Sequence, residues 1–183
     1  MKIINNKIYI AKGETPTYDV SVIDKQTEAP YMLPSGINNP VIEFIVRPSV
    51  YNRADDYVFR AYLDYSTHKK FETPELVEYT DNQWDDSNAP SSGDEEKLHF
   101  RITSDGIKEY RYYENGAWVP YEFRISFMFP YEATSLMESK QYKYEVVLFG
   151  ADVLPGNAGL TNISYKEPLL EATDFIVGGS LSE

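Results

Sequence analysis

The chain contains no cysteine, so neither a disulfide nor a thiolate metal site is open to it. Its two histidines, His68 and His99, stand far apart without a neighbour at metal-ligand spacing. Basic residues are scarce as well: 17 Lys and Arg face 29 Asp and Glu, for a formal net charge of −12. Nucleic-acid binding relies on cations that neutralise phosphates, and no basic stripe is present to do so. The same deficit disfavours an anionic membrane surface. No run approaches the roughly 18 apolar residues of a membrane span. Met1 to Ile10, broken by Asn5, Asn6 and Lys7, is too short and polar for a secretory signal. The sequon Asn162-Ile163-Ser164 therefore reads as incidental. A G-x-S-x-G elbow, a Gly-rich phosphate loop and a dinucleotide fingerprint are all missing. The expectation is a protein without catalysis, cofactor or metal.

What the chain does contain is alternation. Leu98, Phe100 and Ile102 oppose His99, Arg101 and Thr103, which places His99 on the solvent side of its strand. Phe123, Ile125, Phe127 and Phe129 repeat the pattern, as do Tyr142, Tyr144, Val146 and Leu148. A period of two marks half-buried antiparallel strands. Further strands are expected at Lys7 to Ala11, Tyr18 to Val22, Val41 to Arg47, Tyr57 to Tyr65 and Phe175 to Val177. The fold class that follows is all-β: a single-domain antiparallel β-sandwich over residues 1–183, long enough to bury about 70% of its unfolded surface.

Two features should interrupt that sandwich. Asp81, Asp85, Asp86, Asp94, Glu95 and Glu96 sit among Asn, Ser, Pro and Gly over residues 81–96, a surface insertion with Trp84 as its anchor. Asn115-Gly116 between aromatic flanks predicts a type I′ hairpin over residues 108–122, with Pro120 at an edge or bulge. Gly13 suits a turn that needs positive φ. One short helix is expected over Ala133 to Lys140, with Ser135 and Glu138 as a capping box. Gly150 to Asn162 reads as a loop.

The acidic groups Asp55-Asp56, Asp85-Asp86 and Asp94-Glu95-Glu96 have the hard oxygens calcium prefers, but none matches an EF-hand, and solvated acidic loops are expected. Paired carboxylates also cut glycosidic bonds, though only at separations that sequence does not define. The aromatics are more suggestive. Tyr110, Tyr112, Tyr113, Trp118 and Tyr121 crowd one hairpin, and a two-stranded ribbon cannot bury them all. They are therefore candidate interface residues, for a neighbouring subunit or, alternatively, for stacked sugar rings in a carbohydrate-binding module.

Four segments carry a resemblance. They are Lys12-Gly13-Glu14-Thr15, the strand Val41 to Arg47 ending in arginine, the Leu136-to-Glu145 turn with its Tyr142-x-Tyr144 strand, and Leu169 to Val177. In this order they resemble the N-terminal domain of phage baseplate upper proteins. The resemblance implies a β-sandwich that works without catalysis in a virion, as a tail, baseplate, collar or fibre-attachment component. It also implies a homo-oligomer touching other virion structural proteins, assembled in the host cytoplasm.

Overall fold

The described residues form twelve strands, joined by one α-helix and a 3-10 turn over Pro155–Asn157. In chain order they are β1 (Lys2–Ile4), β2 (Lys7–Ala11), β3 (Thr17–Ser21), β4 (Pro40–Arg47), β5 (Phe59–Leu63), β6 (Leu76–Glu78), β7 (Leu98–Ile102), β8 (Lys108–Glu114), β9 (Ala117–Pro120), β10 (Arg124–Met128), α1 (Tyr131–Leu136), β11 (Gln141–Val153) and β12 (Leu160–Gly178). The structure, a computed structural model, describes residues 1–24, 28–34, 36–49, 56–63, 76–79, 84 and 88–178. Asp55, Tyr65, His68, Asp81, Asp85 and Asp86 lie outside them. The all-β class is what the chain adopts.

Within this fold the chain groups into two compact units. The first comprises Met1–Val20, Ile37–Tyr65 and Ile125–Glu183, the second Ser21–Gly36 and Ser66–Arg124. The expected hairpin is thus no appendage, because β6, β7, β8 and β9 form a four-stranded sheet of their own.

The first unit is built on a six-stranded sheet in the order β1-β2-β12-β11-β4-β5, with β3 and β10 paired as a second, two-stranded sheet. Val41 to Val46 of β4 are all buried, so both faces of this strand are covered. Phe44 and Tyr144 on the large sheet meet Tyr18 of β3 and Phe127 of β10. The Phe44–Phe127 centroids are 4.8 Å apart and those of Tyr18 and Phe44 5.1 Å. Such edge-to-face pairs suit the aromatic quadrupole. Buried phenols need partners: the Tyr144 hydroxyl donates to the Asn6 carbonyl, and burial, then Tyr18, pushes its pKa far above the ordinary value.

Pairing is antiparallel except at β2–β12 and β6–β7, which are parallel. A parallel ladder needs a long connection, and the chain from Ala11 to Leu160 supplies one for β2. Asp174 ties that junction, accepting bonds from Lys143, from Gln141 at 2.6 Å and from Lys7 at 2.9 Å. These interactions, Lys143 first, hold its carboxyl well below the usual carboxylate range.

Three sequence expectations change. The 150–162 loop shrinks, because β11 runs on to Val153 and β12 begins at Leu160. The helix occupies Tyr131–Leu136 with Pro130 at its N-cap and no side-chain cap. Proline's fixed φ starts the turn there, so Ser135 falls inside it and donates to the Glu132 carbonyl instead of forming a capping box. His99, finally, is not on a solvent face: it is 2% exposed.

Candidate functional site

The second unit's sheet covers both faces, which is why alternation misassigned His99. On one side Leu98, Tyr110 and Tyr121 form a core with Ala29, flanked by Met32, Phe100 and Tyr112. Tyr121 donates its hydroxyl to the Tyr31 carbonyl at 3.1 Å, and burial pushes its pKa up to about 12. Burial also raises the Tyr110 and Tyr112 phenols, helped by Glu28 and Glu114 respectively.

The opposite side is aromatic and polar. Trp118 packs 5.0 Å from His99 and 5.2 Å from Tyr113, and its indole N–H donates to the Asn88 carbonyl. Trp84 closes this side as the anchor expected of the acidic segment. It stacks on Tyr79 at 4.6 Å with an interplanar angle of 10°, and its ring lies 4.8 Å from Trp118. Its indole N–H donates to Glu109 at 2.8 Å. Arg101 donates to the same carboxylate, and Arg101 and Arg111 each approach the Trp84 ring to 5.5 Å. Burial pushes the Glu109 carboxyl up, but the hydrogen bonds from Trp84 and Arg101 outweigh it and hold the group low.

Of the five hairpin aromatics, Tyr110, Trp118 and Tyr121 are therefore buried, and Tyr112 and Tyr113 half-buried. The crowding argument assumed an isolated ribbon. With β7 beside β8 and other segments over both faces, the rings find cover. Pro120 does lie on an edge strand, and Asn115 and Gly116 take the paired positive φ of 52° and 84° that a type I′ turn requires.

Each unit carries an open groove among the described residues. In the second unit a groove of about 380 Å³ is bounded by Ile23, Glu28, Lys108, Tyr110, Arg111 and Glu122. Both acidic and basic residues line it. In the first unit a groove of about 500 Å³ is bounded by Asn39, Val41, Tyr62, Leu63 and Asp152. Asp152 accepts bonds from the Asn39 and Asn162 amides, which hold its pKa low, Asn162 foremost. Among the described residues no three His, Cys, Asp or Glu side chains gather as a metal site. Asp94 pairs with Lys97 at 2.8 Å, and Glu95 accepts the Gly93 N–H.

Sequence reasoning placed Met128 outward but missed the exposed residues that follow it. Met128, Tyr131 and Leu136, on β10 and α1, are 65%, 56% and 83% exposed. Met128 stands opposite the inward phenylalanines of its strand, and that alternation was the available signal. No helix is long and apolar enough to cross a membrane among the described residues. No known protein family matches the chain, nor does any curated protein or solved structure.

Proposed function

We propose that this chain is a non-catalytic structural protein of a bacteriophage virion, a baseplate, tail, collar or fibre-attachment component that works through protein–protein contacts in a symmetric assembly. The observation that carries the contact reading is the exposed Met128, Tyr131 and Leu136 trio. A contiguous exposed apolar patch marks surface that a partner covers, and these three side chains fall within one short stretch of sequence. The phage assignment rests on the four-segment resemblance, and the paired state of Glu109 and Asp152 is in keeping with a scaffold. The sugar-binding alternative depends on open aromatic platforms, and Tyr110, Trp118 and Tyr121 supply none.

Sedimentation velocity of the wild type and the Leu136→Asp variant tests the contact surface. The wild type is expected to form larger species as concentration rises. The variant is expected to stay smaller with an unchanged thermal transition, since Leu136 contributes little to the core. Identical sedimentation of the two proteins would contradict the reading.

A further inference from the structure

His99 is a histidine placed where a charged ring is hard to accommodate. It is one of the largest fully buried side chains, and its Nδ1 has no hydrogen-bond partner. Tyr79 packs edge-on to it at 6.5 Å from the end of β6, and Trp118 at 5.0 Å from β9. Arg111 is its cross-strand partner on β8. From the preceding turn come the ion-paired Asp94 and Lys97.

We propose that His99 is an acid-sensitive latch: protonation of its ring opens the aromatic side of the four-stranded sheet and releases the Trp84 anchor. The imidazolium needs an acceptor for each of its two N–H groups; the Lys97 backbone helps one, and the ring edges of Tyr79 and Trp118 supply none. Burial is the largest influence and lowers the pKa of the imidazole. Lys97 adds to that through its charge, while the Lys97 backbone and the Asp94 charge oppose it.

The sign follows from linkage. A histidine depressed in the folded state takes up its proton more readily once the sheet opens, so closure is intact above about pH 6.5 and weakens below it. The closed-to-open ratio falls by up to about tenfold per pH unit until the folded ring itself titrates. Glu109, which the hydrogen bonds from Trp84 and Arg101 hold below the ordinary carboxylate value, does not take up a proton in this window.

The chain's 2 tryptophans are Trp84 and Trp118, so their fluorescence reports on this side of the sheet alone. Acidification of the wild type from about pH 7.5 to 5 is expected to red-shift the emission. His68→Gln should retain that transition and His99→Gln should lose it. An unchanged wild-type emission, or a transition that survives in His99→Gln, would overturn the proposal. Should His99→Gln fail to fold, imidazole proton resonances of His68→Gln decide the matter, since they belong to His99 only. They are expected to move below about pH 6.5 together with the emission change. Titration of a folded His99 at or above that value would equally overturn the latch.

Discussion

Trp118 illustrates how much a single side chain carries here. Its ring is packed by His99, Tyr79, Trp84 and Tyr113, and its N–H is spent on Asn88. Trp118→Ala should therefore cost the second unit about 3–5 kcal/mol, read from urea unfolding, because it leaves a large cavity among these rings. A role confined to a subunit interface would leave that value unmoved. Gly150 is equally constrained for the opposite reason. A Cβ there would stand 2.8 Å from Ile37 Cγ2 and 3.0 Å from the Asn38 carbonyl oxygen. Backbone cannot step aside as a side chain can, so Gly150→Ala should destabilise the first unit by about 1–3 kcal/mol in the same assay. Asp174 supplies a pH test. Asp174→Asn leaves the Lys143 and Lys7 ammoniums without their anion and should lower stability by about 1 kcal/mol at neutral pH. Since the native carboxyl is depressed, the gap between wild type and variant should shrink as pH falls below about 4.

At the level of the element, β12 is the instructive strand. Its pairing with β2 covers only Phe175 to Gly178, so the edge away from β11 is open over residues 160–174 among the described residues. An edge of that length invites other strands, and this one resists them. Register shifts against β11 interrupt it, Pro168 lacks an N–H, and Lys166 and Glu171 stand exposed. Replacing Pro168 and Glu171 together by valine should raise light scattering with concentration while leaving the fold's far-UV spectrum intact. These defences also hid the first part of the strand from the sequence, where only the end at Phe175 to Val177 was legible: a bulged, exposed, proline-bearing edge has no clear period of two to detect. Strand bounds were legible almost to the residue where apolar alternation is strong, as Lys7–Ala11 and Leu98–Ile102 show. The Asn115-Gly116 turn was legible because its chemistry is local. The sidedness of β7 was not, because segments distant in sequence cover both of its faces. The hairpin aromatics failed as surface residues for the same reason, and the exposed Tyr131 and Leu136 on α1 went unnoticed because exposure depends on what the rest of the chain covers.

The whole molecule joins two β-built units within a strongly acidic chain of net charge −12. Copies of such a chain repel one another at long range, while apolar contact through Met128, Tyr131 and Leu136 acts only at short range. Self-association measured by sedimentation should therefore strengthen as added salt shortens the Debye length towards about 8 Å at 0.15 M. A surface held together by opposite charges would weaken instead. The virion reading is tested most directly by quantitative peptide mass spectrometry of particles purified from an infected or induced lysate of the source. The expected result is this chain at a fixed, symmetry-compatible multiple of the major particle proteins, retained through density-gradient and high-salt washing. Its absence from the particles, with the protein recovered free in the lysate, would contradict the account.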